Sequence, residues 1–219
     1  MIKRSVLVLV ALGLAACNGS SSPSPASNPW TIRYSPGMPT APTPNASGGF
    51  AFEIPLGGSC PAAATTPPDF NVSACHHVDY VTRTPMPLSG TLTLDFTISG
   101  DNPSFGTLTT ATNNCSTPPS VSLLLEHTND AALNVMSYRW WAIKNAPIVL
   151  GHNVLTVPLT FANWADTSGP PPGTAAEFAD ALANLGAVGM TFGGDCARGH
   201  GLYLNSGSAT FTINSFTSP

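Results

Sequence analysis

Gly90-Thr91-Leu92-Thr93-Leu94-Asp95-Phe96-Thr97-Ile98 is the stretch on which the fold turns. Leu92, Leu94, Phe96 and Ile98 alternate with Thr91, Thr93, Asp95 and Thr97. Successive side chains of a strand point to opposite faces, so this pattern needs a sheet with one buried and one wet face. The same period continues on either side of it. Phe50, Phe52 and Ile54 form one face of an earlier strand, and Val78 and Tyr80 share a face of the next. Val121 to Glu126 is more continuously apolar and reads as a central strand. Ser137 to Ile143 places Tyr138, Trp140 and Ala142 on one side, with Arg139 and Trp141 on the other. Asn153–Phe161, Ala187–Phe192, Gly201–Leu204 and Ala209–Phe216 complete the set. Asp95 and Glu126 fall on faces expected to be wet.

One helix interrupts the strands. Thr174-Ala175-Ala176-Glu177 has the spacing of a capping box, and Phe178, Ala181, Leu182 and Leu185 fall on one face. Gly186 stands where a C′ glycine ends a helix. About eight to ten strands, many Pro/Gly turns and one late helix near 174–185 predict an all-β, two-sheet antiparallel β-sandwich, most closely a jelly roll.

The N-terminal end has a different logic. Met1-Ile2-Lys3-Arg4 is basic, Val6 to Ala16 is an unbroken apolar or small-residue run, and Leu14-Ala15-Ala16-Cys17 follows. A basic start, a short apolar segment and small residues describe a secretory signal, and the run falls short of the ~20 residues a spanning helix needs. Cysteine at the cleavage point resembles the lipobox of bacterial lipoproteins. That resemblance implies cleavage before Cys17, lipid on it, and attachment to the cell envelope. Asn18 in place of Asp leans towards the outer membrane. Residues 1–16 are then the signal, 17–29 a Ser/Pro-rich tether and 30–219 the domain. Trp30, Ile32 and Tyr34 alternate with Thr31 and Arg33 at its start, as an edge strand or a clasp.

An oxidising compartment sets the expectation for the remaining cysteines. Cys60, Cys75, Cys115 and Cys196 suit two disulfides, with three possible connectivities, of which Cys60–Cys75 and Cys115–Cys196 are favoured. A zinc site is the alternative, but the spacings fit no finger.

Charged residues make up 8 % of the chain, against ~25 % in ordinary domains. Without the signal, Arg33, Arg83, Arg139, Lys144 and Arg198 face 11 acidic residues. With no basic patch to hold phosphates, nucleic acid is not an expected partner. Polarity carried by Thr, Ser and Asn suits neutral, hydroxyl-rich partners.

Several segments resemble bacterial secreted proteins and lipoproteins with a galactose-binding-like jelly roll, similar to carbohydrate-binding modules. They are Tyr138-Arg139-Trp140-Trp141, Leu150-Gly151-His152 with Val157-Pro158-Leu159, Asn163-Trp164, the 178–185 helix, Val188 to Gly194, and Arg198 to Tyr203 with Ala209-Thr210-Phe211. Phe52…Ile54-Pro55 and His77 to Val81 match the N-terminal strands, so the resemblance covers roughly 49–217. It implies the fold more than an activity. The 60–75 insertion and the 169–173 loop depart from it.

Candidate ligand-binding residues follow from the aromatics. Adjacent Trp140 and Trp141 must face opposite sides of a strand, so one of them is nearer solvent. An indole can stack on the apolar face of a sugar ring while polar neighbours take its hydroxyls. Trp141 and Trp164 are the expected platforms, with Arg139, His152 and His200 as donors. The competing reading makes both indoles core. His77 and Asp79 share a face and could meet a metal with His200, although a hydrogen-bonding role suits them better. No Gly-x-Ser-x-Gly, HExxH or P-loop is present, so no catalytic residue, cofactor or metal is expected. The expectation is a lipid-anchored envelope protein that binds a neutral carbohydrate. The alternatives are a structural or assembly protein that docks an unspecified protein partner, and a hydrolase with an unrecognised site.

Overall fold

The computed structural model describes residues 29–35, 50–57, 75–108, 118–130, 138–166, 173–194 and 198–219. They form a two-sheet antiparallel sandwich, compatible with a jelly roll. The strands are β1 (Trp30–Ser35), β2 (Phe50–Glu53), β3 (His77–Arg83), β4 (Thr91–Gly106), β5 (Ser120–His127), β6 (Arg139–Pro147), β7 (Gly151–Pro158), β8 (Trp164–Asp166), β9 (Leu185–Gly193) and β10 (Tyr203–Thr217). One sheet has the order β1-β3-β9-β5-β6-β8 and the other β2-β10-β4-β7. The helix α1 spans Ala175–Ala183.

The alternation in β4 does what its pattern requires. Leu92, Leu94, Phe96 and Ile98 are buried while their neighbours remain partly accessible. They meet Val121, Leu123 and Leu125 of β5 and Val188, Met190 and Phe192 of β9 in one core. Phe211 of β10 stands at its centre, stacked on Phe96 at 4.8 Å and on Phe52 at 5.3 Å, with Phe192 edge-on at 5.5 Å. Such ring pairs add to the area they bury. β5 is interior, as its apolar run implies. β1 is an edge strand whose Trp30 and Ile32 enter the core, with Trp30 4.9 Å from Phe50.

Four local expectations are corrected. Val78 and Tyr80 do not share a face, because Asp79 is an extra residue in the β1–β3 register (Arg33 opposes Tyr80, Tyr34 opposes Val78). Such a bulge bends the strand and re-aims its side chains. The 201–204 and 209–216 segments belong to one strand, β10, carrying register shifts between Leu204 and Ser208. The capping box is present, with Thr174 accepting from Glu177 N, but the helix stops at Asn184. Gly186 lies in β9, where a Cβ would meet the Thr128 backbone at 2.7 Å, so its smallness serves close approach. Glu126 is buried, because the outer face of the six-stranded sheet is itself covered.

Candidate functional site

That covered outer face gathers most of the buried polar side chains. The register sends Val81, Met190, Leu125 and Trp140 inward, and Tyr80, Thr191, Ser122, Glu126, Arg139 and Trp141 outward. Arg139 Nε donates to Asp130 Oδ2 at 2.7 Å, and its Nη1 donates to the Tyr80 hydroxyl at 3.2 Å. Burial pushes the Tyr80 phenol up to about 12, against the opposing pull of Arg139. The bulge places His77 Nε2 2.9 Å from Asp79 Oδ1, while His77 Nδ1 donates to the Cys75 carbonyl at 3.3 Å.

A glycine turn roofs these groups. The Gly199 and Gly201 amides both donate to the Phe192 carbonyl, at 3.0 and 3.1 Å. Both residues have positive φ, 78° and 81°. A Cβ on Gly199 would stand 2.7 Å from the Tyr80 hydroxyl and 3.1 Å from Trp141 Cζ2. One on Gly201 would overlap His77 Cδ2 and lie 2.8 Å from Asp79 Oδ1. Only glycine fits both the dihedrals and the space. His200, between them, hydrogen-bonds the Leu108 carbonyl, and burial holds its imidazole below the ordinary histidine range.

Of the five expected ligand-binding residues, Arg139, Trp141 and His200 share this corner, and the other two lie elsewhere. Arg139 is buried and engaged by Asp130 and Tyr80, so it braces the sheet from within. Trp141 is half-buried, and its Nε1 has no hydrogen-bond partner among the described residues. Trp164 is not a platform. It is 0 % exposed, its Nε1 donates to the Pro158 carbonyl at 2.9 Å, and its ring packs 6.1 Å from Phe178. Trp140 is core as well. His152 sits on the outer face of the four-stranded sheet, its Nε2 2.8 Å from Asp95 Oδ1. Asn214 also donates to Asp95, and Asn214 first, then His152, holds that carboxyl below its usual range.

Among the described residues, no group of three or more His, Cys, Asp and Glu is placed to hold a metal. Cys75 is buried against Leu108 and Tyr203. Cys17, Cys60, Cys115 and Cys196 lie outside the described residues, as do the signal, the tether as far as residue 28 and the 169–172 loop.

Sequence patterning did not anticipate a cavity beside β10. The chain leaving β2 runs through Ile54, Pro55 and Leu56 and meets β10 again where the Gly57 amide donates to the Leu204 carbonyl. Between that contact and the one from Ile54 N to Ala209 O, the two segments part around a cavity of about 550 Å³. Tyr34, Glu53, Leu56, Gly207, Ser208 and Thr210 contribute to its wall. Partial burial, and then the Glu53 carboxylate, raise the Tyr34 phenol above its ordinary value. Leu56 is 58 % exposed. The signal that could have found the cavity is the polar break Asn205-Ser206-Gly207-Ser208 inside an otherwise alternating strand.

No family model, no curated protein and no solved structure matches this chain.

Proposed function

We propose that this chain is a lipid-anchored protein of the bacterial envelope, held through Cys17 and leaning to the outer membrane, whose galactose-binding-like sandwich binds a neutral carbohydrate. The observation that carries the reading is the cavity beside β10. Its wall combines a phenol (Tyr34), a carboxylate (Glu53), two hydroxyls (Ser208, Thr210) and, among the described residues, no basic side chain. A carboxylate accepts hydrogen bonds from sugar hydroxyls and an aromatic ring covers a C–H face, whereas phosphate would need cations. Its volume lies in the ~300–1,000 Å³ range of small-molecule sites. The site therefore moves from the indoles to the Tyr34–Glu53 wall, with Trp141 and His200 at a separate corner. A Cys60–Cys75 disulfide belongs to the same reading, as an extracytoplasmic clasp beside β3.

Isothermal titration against neutral oligosaccharides tests it. Saturable binding is expected, weakened by at least about tenfold in Tyr34→Ala and Glu53→Gln, a loss of ~1.4 kcal/mol. Binding by neither wild type nor variants overturns the carbohydrate reading. Binding lost only in Trp141→Ala moves the site to the glycine-turn corner. Docking of a protein partner is favoured by one observation, the exposed aliphatics Val149, Leu150 and Val154 at and beside the β6–β7 connection. Repeated capture of one partner, abolished by Leu150→Glu, would support it.

A further inference from the structure

A second depression lies at the end of the sandwich where the N-terminal segment enters. The Pro29 carbonyl accepts from the Thr84 amide at 3.1 Å, which pins the start of the domain to the first residue of the 84–90 connection. From Pro85 onward that connection forms one wall of a groove of about 400 Å³. Met86 and Leu88 line it together with Leu159, Leu182 and Leu185. Among the described residues, none that lines the groove is charged. These five side chains rest on the core yet stay partly accessible, so the groove is an opening of the hydrophobic interior. Val149 and Leu150, by contrast, lie by the opposite end, where Pro147 pairs with Ser120 and Ile148 N donates to Pro119 O.

We infer that this groove is a membrane-docking surface, and that its occupant is the acyl region of the bilayer that holds Cys17. The inference rests on the lipid-anchor reading. Residues 17–29 can span at most ~45 Å fully extended, and they join the domain at the rim of the groove. Anchoring therefore holds this end at high effective concentration near the lipid, so even a weak apolar contact is populated. Each apolar CH₂ that leaves water for the acyl boundary adds to the attachment. An uncharged lining is what that boundary tolerates, since a charge there is expensive. The docked domain stands with its Pro29 end on the membrane and the 148–150 end outward.

The test uses the full chain, matured in a bacterial host and reconstituted in phosphatidylcholine vesicles containing a diazirine-acyl phosphatidylcholine. After illumination, lipid adducts are mapped by peptide mass spectrometry. They are expected on 85–88 and 182–185 and absent from 148–154. Pro87 and Ala183 are exposed on the groove, so a P87E/A183E variant is expected to keep the fold. It is expected to lower groove adducts by at least about tenfold, with an unchanged melting temperature. An anchored protein whose adducts are uniform, or lie only at 148–154, overturns the docking and leaves the anchor standing. A protein with no acyl mass on Cys17, absent from the membrane fraction, overturns the anchor and the docking with it.

Discussion

Gly201 is the residue whose substitution tests most about the covered face. Alanine there meets two penalties, a left-handed backbone and overlap with the His77–Asp79 pair. Gly201→Ala is expected to cost at least about 2 kcal/mol in denaturant unfolding. An effect within experimental error would mean that the turn does not rest on the pair. Arg139 supplies the electrostatic counterpart. Arg139→Ala leaves Asp130, whose side chain is buried, without its guanidinium, a change expected to cost ~3–5 kcal/mol. Asp95 sets a pH dependence of definite sign. Its folded-state value lies below the ordinary 3.8, so its contribution is fully present above that value and is lost as pH falls through the lower folded one. The side chain is partly accessible and solvent screens it, so the term is small. Wild type should lose slightly more stability than Asp95→Asn between neutral pH and pH ~2, measured by urea unfolding.

At the scale of elements, the strands were legible wherever one physical demand acted on them. β4 has a wet face and a dry face, and its threonines and leucines announce it. β5 has two buried faces, and its run of apolar residues announces that. What escaped was the Asp79 bulge, because an inserted residue leaves no mark in a period-two pattern until the partner strand is known. The end of α1 escaped similarly. Gly186 suits a helix terminus by propensity, but the close approach of Thr128 is what requires it. Trp164 shows the same limit for a candidate site residue. A tryptophan in a polar-looking segment reads equally as platform or core, and α1 decides it by laying Phe178 against the ring. Trp164→Ala should therefore behave as a core truncation, losing ~3–5 kcal/mol of stability, with glycan affinity in the folded fraction unchanged. Calorimetry with parallel binding measurements separates the two.

At the scale of the whole molecule, the sandwich separates three surfaces. The open cavity lies beside β10, the apolar groove lies where residue 29 enters, and the polar layer under the glycine turn is closed. A glycan that binds only the native cavity should raise the melting temperature in proportion to its saturation, by mass action. Cys17→Ser should abolish incorporation of labelled fatty acid into the protein, read by metabolic labelling and immunoprecipitation. Label kept by the variant would count against lipid on Cys17. The sequence by itself determined the all-β class, the capped helix α1, the opposed directions of Trp140 and Trp141 and the scarcity of charge, because each follows from short-range periodicity or composition. Only the tertiary structure decided that Trp164 is core, that Glu126 and Arg139 lie beneath a covered face, and that Tyr34 and Glu53 share a cavity. Those facts depend on which distant strands meet, and side-chain burial is set by that pairing, which no local window contains.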